Sequence, residues 1–434
     1  MTRDPAGFDV EENSGAQLFA CVAELYPICR SITGAGVRET LARLQQIVPL
    51  TVHEVPSGTE VFDWVVPKEW NIRDAYVKNA QGERVVDFRR SNLHVVNYST
   101  PVRASMSLNA LRPHLFTLPD RPAWVPYRTS YYEENWGFCL SQQQLDALPE
   151  GDYEVCIDSS LEPGTLSYGE LLLPGESTEE VLISSHICHP SLANDNLSGI
   201  AVAAFAARRL QARSTHFSYR FLFVPATIGA LAWLARNEST VARIRHGLVL
   251  SCLGDAGPLT YKRSRRGDAV IDRAATQVLR QRGEAGILDF SPYGYDERQY
   301  CSPGFNLPVG RLSRTPHGCF PEYHTSADDL DFLEPAQLAR SLLACLEIVD
   351  ILEHDRRYLN RKPRGEPRLS KYGLYETIGG QADAPAIRMA LLWVLNLSDG
   401  RHSLLDIAER SGMGFQEILR AAQALCQQGL LREL

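Results

Sequence analysis

The stretch from Glu180 to Gly199 constrains the fold of this chain more than any other part of its sequence. It opens with a short apolar run, passes through a polar loop, and continues into an alanine-rich helix predicted over 197–210. A buried parallel strand has such a composition, although so short a run also suits a buried helix. Histidine and acidic side chains follow the strand directly, at the edge of an open α/β sheet where ligands bind. The sequence therefore predicts an α/β fold with a binding site in this loop.

The loop places His186, His189 and Asp195 within ten residues, which suggests a metal site. Zinc accepts imidazole and carboxylate ligands and keeps a position open for water. Each residue also has an ordinary structural interpretation, because Asp195 can cap the following helix and either histidine can be a simple hydrogen-bonding group. Three candidate ligands in so short a loop favour the metal.

Composition narrows the class of protein further. A length of 434 residues predicts two or three domains, and a net charge of -8 makes a nucleic-acid or anionic membrane surface an unlikely partner. No run of 18 uncharged apolar residues is present, and the first residues lack the apolar core of a signal peptide. Ten cysteines occur without C-x-x-C pairs, which is typical of free thiols in a reducing compartment. We therefore predict a cytoplasmic protein that makes no membrane contact.

Changes in periodicity and composition along the sequence predict three domains. Helical periodicity over 14–48 gives way to short strands rich in valine and aromatic residues, and strand–helix alternation follows from 153 to 355. The pattern predicts a discontinuous α/β domain over 1–48 and 150–360, with a mostly β domain inserted at 49–149. A separate winged-helix domain is predicted over 376–434.

The C-terminal domain has the rhythm of a winged helix. Helices are predicted at Ile387–Leu395, Leu404–Glu409 and Phe415–Gln427, the last of which carries Arg420 as its one basic residue. A helix that reads the major groove needs a basic footprint, so nucleic acid is an unlikely partner. Protein contact, including homo-oligomer formation through the winged helix, is the better interpretation.

Several strings also resemble a known family, among them C-H-P-S-L-A-N-D-N-L-S-G, D-E-R-Q-Y-C-S-P-G and E-Y-H-T-S. The chain resembles a bacterial aminopeptidase-like family with an inserted β domain and a C-terminal winged helix. Its metal loop is similar to that of the zinc aminopeptidase fold of the glutamate-carboxypeptidase and transferrin-receptor type. The resemblance implies a zinc-peptidase-like mixed sheet flanked by helices. It also implies a zinc-dependent hydrolase that cleaves an amide bond next to a free amine.

The resemblance carries over to individual residues. It implies that His186 is the first histidine ligand, with His189 as a rival, that Asp195 is the shared aspartate, and that His324 is the last ligand. The general base of these enzymes is a glutamate in the loop after the next strand, where P-E-T-I-G is expected. This chain has P-A-T-I-G, with Ala226 at the position of the glutamate. The chain is therefore predicted to bind metal and substrate but to turn over slowly.

Further departures favour one zinc ion over two. Cys188 replaces the acid of the histidine–x–aspartate pair, and Thr227 stands where two-zinc enzymes have a glutamate ligand. The acid expected at the end of the middle strand is replaced by Ser251 or Cys252, and Asp255 lies beyond it.

A second polar cluster follows at Asp296, Glu297 and Arg298, in a loop rich in glycine and proline. It is either a solvated loop with local ion pairs or a site where an acid binds the substrate's amine or supplies a further ligand. Tyr300 and Tyr323 are candidates to stabilise a tetrahedral oxyanion. The expected substrate is a small peptide-like or amide compound, and the resemblance hints at natural-product or surface-polysaccharide biosynthesis.

Two alternatives to catalysis remain open at this point. The chain can be a non-catalytic protein that kept the peptidase fold and docks a partner through its winged helix. A DNA-binding regulator is a third and weaker alternative.

Overall fold

Helices and strands alternate along most of the chain. The computed structural model describes residues 13–284, 286–374 and 384–434. The helices, in chain order, are α1 (Ser14–Leu25), α2 (Ala35–Leu44), α3 (Leu108–Leu111), α4 (Gln142–Asp146), α5 (Gly199–Gln211), α6 (Ile228–Arg236), α7 (Glu238–Val241), α8 (Val270–Gln281), α9 (Glu297–Tyr300), α10 (Pro335–His354), α11 (Ala384–Leu397), α12 (Leu404–Ser411) and α13 (Phe415–Gln427). The strands are β1 (Thr51–Pro56), β2 (Glu60–Val61), β3 (Trp64–Val65), β4 (Glu69–Lys78), β5 (Arg84–Asp87), β6 (Val102–Ser107), β7 (Leu115–Phe116), β8 (Phe138–Cys139), β9 (Asp152–Glu162), β10 (Thr165–Leu173), β11 (Glu180–His186), β12 (Ser218–Val224), β13 (Ile244–Leu250), β14 (Thr260–Lys262), β15 (Gly286–Leu288), β16 (Val309–Ser313), β17 (Arg357–Asn360), β18 (Asp399–Ser403) and β19 (Leu431–Glu433).

An eight-stranded mixed sheet forms the centre of the larger of two structural units, which comprises residues 13–267 and 286–342. Its strand order is β1-β10-β12-β11-β13-β16-β14-β15. The four middle strands, β12, β11, β13 and β16, run parallel to one another. Every residue of β11 and β12 is buried, and each strand contains an apolar run, at 181–183 and at 221–224, that predicts such burial. The predicted α/β fold class is confirmed.

Helix α5 follows the loop after β11 and buries almost its whole surface. Ten of its thirteen residues are buried, and most of these are alanine, glycine or valine. Small side chains allow the helix to lie close to β11, β12 and β13, which it contacts. The loop between β11 and α5 is therefore fixed at both ends by core packing.

A four-stranded antiparallel sheet, β5-β4-β9-β6, lies within the larger unit and has its own apolar core. The strands differ from the predicted boundaries at 49 and 149 by one strand at each end. β1 belongs to the main sheet, whereas β9 pairs with β4 and β6. The division into a host domain and an inserted domain stays a prediction.

The smaller unit comprises residues 268–284, 343–374 and 384–434. It combines α8 and the end of α10 with helices α11 to α13 and the antiparallel sheet β18-β17-β19. Arg273 of α8 binds the carboxylates of Asp406 and Glu409 on α12. The predicted domain ranges 1–48 and 376–434 begin in residues 1–12 and 376–383, which lie outside the described residues. Among the described helices, none is both long and apolar enough to cross a membrane.

Candidate metal centre

The predicted ligands gather where the parallel strands of the main sheet end. β11 ends at His186, and the loop after it carries His189 and enters an irregular helical turn, Ala193–Ser198, that bears Asp195. His324 lies in a segment after β16, a neighbour of β13 in the sheet. Loops from separate strands therefore converge at the carboxyl edge, where open α/β sheets bind ligands.

Three imidazole rings meet at the carboxylate of Asp195. Its Oδ1 lies 3.1 Å from Nε2 of His186, and its Oδ2 lies 3.0 Å from Nε2 of His324 and 3.5 Å from Nδ1 of His189. Nε2 of His186 is 3.2 Å from Nδ1 of His189. The structure brings together all four residues predicted as metal ligands, so the two rival histidines lie side by side. Their roles as ligands stay predictions.

The electrostatic environment sets the charges of Asp195 and His189. Burial opposes the ionisation of Asp195, but His189, His186 and His324 outweigh that effect and hold its pKa well below the usual range. Burial lowers the pKa of His189 to about 3, against the opposing effect of Asp195. Asp195 is therefore an anion at neutral pH, and His189 is an uncharged imidazole with a lone pair to donate.

The donor chemistry fits a zinc ion. Zinc prefers imidazole nitrogen and carboxylate oxygen, and a catalytic site needs three protein ligands and an open position. The candidate ligand atoms of His186, His189 and Asp195 all lie within 4.8 Å of one another. His324 adds a fourth donor beside Asp195.

Hydrogen bonds between side chains and backbone groups hold the loop between β11 and α5 in place. Oδ1 of Asp328 accepts the N–H of Asn194 at 2.6 Å, and its Oδ2 accepts the N–H of Asp195 at 3.0 Å. The Asn196 amide donates to the carbonyls of His186 and Leu250 at 3.3 and 3.2 Å. These bonds tie the loop both to the ends of β11 and β13 and to the segment that carries His324.

Access to the centre is from the side of His324. Its side chain is 35% exposed, compared with 12% for His189 and 0% for His186. The ring of Tyr127 packs edge-on against His189 and His324, with centroid distances of 5.3 and 5.1 Å. From the interior, Nε of the buried Arg30 donates to the carbonyl of His189 at 2.8 Å. A ligand must therefore approach past His324.

Ala226 lies at the same edge, just beyond β12. His186 pairs with Val224 in the sheet, which places Ala226 two residues past the partner of the first candidate ligand. Its carbonyl accepts the thiol of Cys188 at 3.9 Å, and the next hydroxyl, of Thr227, accepts Nε2 of Gln299 at 3.3 Å. The side chain at the predicted base position is a methyl group, which accepts no proton.

The middle strand supplies no acid to the centre. Cys252 follows β13, and its sulfur lies 3.9 Å from Oδ1 of Asp195. Burial raises the pKa of Cys252 well above the usual range, so the thiol is uncharged. Asp255, which lies beyond the expected position of that acid, accepts hydrogen bonds from Asn194 at 3.0 Å and Thr315 at 2.5 Å. It supports the loop and does not contact Asp195.

The cluster at Asp296, Glu297 and Arg298 is not a solvated loop. Asp296 and Glu297 are fully buried, which excludes one of the two interpretations of the sequence. Oε1 of Glu297 lies 3.0 Å from Nζ of Lys262 and 3.7 Å from Arg311. These two cations come from β14 and β16, so tertiary packing neutralises an acid that the local sequence shows as free.

The two tyrosines predicted to stabilise an oxyanion differ in exposure, and neither is fully exposed. Tyr300 is fully buried, and its hydroxyl bonds Ser184 at 2.9 Å, which weighs against contact with a substrate. Tyr323 is half-buried and stacks on His324 with a centroid distance of 3.9 Å. Tyr323 is therefore the better placed of the two, and its role stays a prediction.

Sequence reasoning missed one group that touches the centre directly. The hydroxyl of Tyr295 donates to Oδ1 of Asp195 at 2.9 Å, and its ring stacks on His186 with a centroid distance of 4.6 Å. The polar residues after Tyr295 stand out in the sequence, whereas nothing in the local pattern distinguishes Tyr295 itself. Asp328 was missed for the same reason, since an acid in a loop is common.

Comparison with known proteins agrees with this geometry. A family model described as a domain of unknown function, DUF4910, matches residues 19–355, and a winged helix-turn-helix model matches residues 356–433. A Clostridium acetobutylicum protein, proposed by name to be a polysaccharide biosynthesis protein with an aminopeptidase-like domain, is 52% identical over 420 residues, or 96% of each chain.

Solved structures have the same fold. A crystal structure of a proposed peptidase from Clostridium acetobutylicum has a TM-score of 0.93 at 50% identity and covers 98% of each chain. A zinc aminopeptidase from Bacillus subtilis has a TM-score of 0.56 at 11% identity, covering 77% of this chain and 94% of that one. At such low identity the second likeness concerns the fold alone.

The mixed sheet flanked by helices is an aminopeptidase-like fold, and a winged-helix domain follows it at the C-terminus. The chain belongs to the DUF4910 family.

Proposed function

We propose that the chain is a zinc-dependent, aminopeptidase-like hydrolase that acts on an amide bond next to a free amine. The convergence of three imidazoles on the buried, ionised Asp195 carries this proposal. His324 leaves the group accessible from one side. The ten cysteines are free thiols, which supports the cytoplasm as the proposed compartment.

His186, His189, Asp195 and His324 would hold one zinc ion. Zinc bound in such a site lowers the pKa of water and polarises a carbonyl oxygen. The ionised Asp195 would balance the charge of the cation, while the stacked ring of Tyr323 beside His324 would offer a hydroxyl to the carbonyl oxygen. A second ion is not favoured, because Cys252 and Thr227 stand where acids would be needed.

The proton acceptor is the missing part of the machinery. Ala226 occupies the position of the expected glutamate and carries only a methyl group. Loss of a general base typically costs ~10²–10⁴-fold in rate. The chain is therefore proposed to bind metal and substrate while turning over slowly.

The substrate is proposed to be a small peptide-like or amide compound, of the kind that an enzyme of polysaccharide biosynthesis would meet. The name of the clostridial relative supports that setting. Among the residues predicted to bind substrate, Asp296, Glu297 and Tyr300 are fully buried, which weighs against direct contact. Arg298 is half-buried and is the proposed substrate-binding residue among them.

A second candidate function is a non-catalytic binding protein that keeps the peptidase fold. The methyl group of Ala226 is the observation that favours it. In that case the winged helix would dock a protein partner or a second copy of the chain. Its helix Phe415–Gln427 carries only Arg420 as a basic residue, which supports a protein over nucleic acid.

The proposed base position can be tested by restoring a carboxylate. Ala226→Glu and Ala226→Gln introduce side chains of nearly the same size, of which only glutamate accepts a proton. Hydrolysis of a set of aminoacyl anilides should rise ~10²–10⁴-fold in Ala226→Glu and remain at the starting level in Ala226→Gln. Equal rates in the two variants would remove the general-base assignment.

Metal content separates the hydrolase from the binding protein. The purified protein should contain about one zinc ion per chain, as for a catalytic site of this donor set. His324→Ala should lose it, and His53→Ala should keep it. The two histidine side chains are equally accessible, at 35% and 33% exposed, but His53 pairs with Glu170. A zinc-free protein that is indifferent to His324→Ala would favour the binding protein.

A further inference from the structure

His317 is a half-buried histidine near the candidate metal centre that the proposed function leaves without a role. Its ring packs edge-on against Tyr295 at a centroid distance of 5.2 Å and lies 6.3 Å from the ring of Tyr323. Tyr295 donates to Asp195. Tyr323 stacks on His324, the most exposed of the candidate ligands. His317 is therefore one aromatic ring away from the centre, on the side from which a ligand approaches.

Arg311 determines which nitrogen of the His317 ring carries the proton. Nη1 of Arg311, a buried residue of β16, lies 2.7 Å from Nδ1 of His317. A guanidinium group only donates, so Nδ1 must accept, and the neutral ring must carry its proton on Nε2. Burial favours the same neutral state, because it lowers the pKa of His317 to about 4. His317 therefore presents an uncharged donor, Nε2–H.

The Nε2–H donor is available to a ligand. Within the described parts of the chain, the bond from Arg311 is the one hydrogen bond of the His317 side chain. The residue is only half-buried, and the neighbouring Tyr293, at a ring distance of 5.5 Å, is 68% exposed. A molecule from solution can therefore reach His317 and accept this bond.

The charges around His317 favour an anionic acceptor. Oε1 of the buried Glu297 lies 3.0 Å from Nζ of Lys262 and 3.7 Å from Nη1 of Arg311, so two cations share one carboxylate. The other acid that acts on His317 is Asp195, whose charge the proposed zinc ion would balance. The surplus positive charge attracts a carboxylate more strongly than a neutral carbonyl group.

Arg298 adds a further cation beside the same tyrosine. Its guanidinium carbon lies 5.9 Å from the ring centroid of Tyr293, and the carbonyl of Tyr293 accepts Nζ of Lys262 at 2.7 Å. Nε of Arg298 is buried and has no hydrogen-bond partner among the residues that the structure describes. Arg298 and His317 therefore both border Tyr293, each with a donor that lacks an acceptor.

We propose that His317 is a substrate-binding residue that donates its Nε2–H to a carboxylate of the substrate. Arg311 is then a positioning residue, because it fixes the tautomer that can donate. The inference rests on the proposed function and narrows its substrate class. An amide compound that bears both a free amine and a carboxylate is a short, unblocked peptide.

Two matched peptides test this role of His317. Alanyl-alanine and alanyl-alaninamide differ only in the terminal carboxylate, and titration calorimetry measures their affinities for the full-length protein. The unmodified protein should bind alanyl-alanine ~10–100-fold more tightly, the range for a hydrogen bond to a charged group. His317→Leu should remove most of this preference. His317→Gln should retain it, because the glutamine amide also offers an N–H donor.

His114→Leu is the matched control. His114 is also half-buried and stacks on an aromatic ring, but its neighbour is Trp136, at a centroid distance of 3.6 Å, in the core of the four-stranded sheet. This variant should keep the full preference for the carboxylate. Equal affinities for the two peptides in the unmodified protein, or an undiminished preference in His317→Leu, would overturn the proposal.

The ring tautomer gives a readout that needs neither metal nor substrate. Nitrogen-15 NMR of the zinc-free, full-length protein at pH 7 should show a neutral His317 with its proton on Nε2, and a proton on Nδ1 would contradict the role of Arg311. A protein without zinc or hydrolysis whose carboxylate preference still depends on His317 would refute the proposed function alone. Hydrolysis by Ala226→Glu without such a preference would refute the role of His317 alone.

Discussion

The hydroxyl of Tyr295 donates a 2.9 Å hydrogen bond to Oδ1 of Asp195, the carboxylate on which three imidazoles converge. The tyrosine is 6% exposed, so the bond is shielded from water. It fixes one oxygen of the proposed metal ligand, and Cys252 is the tyrosine's second neighbour at 3.3 Å.

Tyr295→Phe should therefore weaken zinc binding about tenfold, the lower end of the range for groups that orient metal ligands. Chelator competition measures the change. Tyr153→Phe is the control, because that buried hydroxyl donates to the carbonyl of Pro149, in another part of the unit. Equal affinities in both variants would show that Tyr295 does not orient Asp195.

Gly310→Ala should destabilise the main sheet. A Cβ at Gly310 in β16 would lie 1.9 Å from the hydroxyl oxygen of Tyr261, whose side chain is 0% exposed and has no solvent to move into. Overpacking of this kind costs about 1–3 kcal/mol. Gly304→Ala is the control, since among the described residues no atom other than those of its chain neighbours lies within 4 Å of its added Cβ. Urea denaturation should show a lower unfolding free energy for Gly310→Ala alone.

The ion pair between Arg38 and Glu69 should make stability depend on acid pH. Two hydrogen bonds from Arg38, at 3.1 and 2.5 Å, are the main reason that the pKa of Glu69 falls from 4.5 to about 2. Because the pKa is lower in the folded chain, the stabilisation is fully present above pH 4.5 and is lost as the pH falls towards 2.

Glu69→Gln should lower the unfolding free energy by ~1–2 kcal/mol at pH 7. This is the size expected for a hydrogen bond to a charged group that solvent partly screens. The difference from the unmodified protein should shrink at pH 3. Glu134→Gln is the control, because Glu134 pairs with Lys68 in an exposed position. A difference that is the same at both pH values would contradict the assignment to this carboxylate.

Local patterns were sufficient for much of the fold. The helix predicted at 415–427 is α13 to the residue, and the helix predicted at 404–409 extends two residues further as α12. Periodicity works here because each amphipathic helix buries one face against its own neighbours. The apolar run at 181–183 predicts a buried strand in the same way, and all seven residues of β11 are buried.

Long-range packing determined the parts that the sequence did not reveal. The short strands β14 and β15 carry no distinctive sequence pattern. The role of Lys262 in β14, which is to pair with the buried Glu297, is visible only in the folded chain. A local charge pattern does not distinguish a solvated acid from one whose partner cation lies 35 residues away. The burial of Asp296 and Glu297 therefore could not be predicted from the sequence.

The amino-acid sequence alone is enough to place His186, His189 and Asp195 together at the end of a buried strand, and to show that position 226 lacks a carboxylate. Only the tertiary structure brought His324 to Asp195 across 129 residues and Tyr295 across 100. Residues within ten positions of one another can be predicted to meet from the sequence alone. Groups from separate strands meet only because the parallel sheet places their carboxyl ends at one edge.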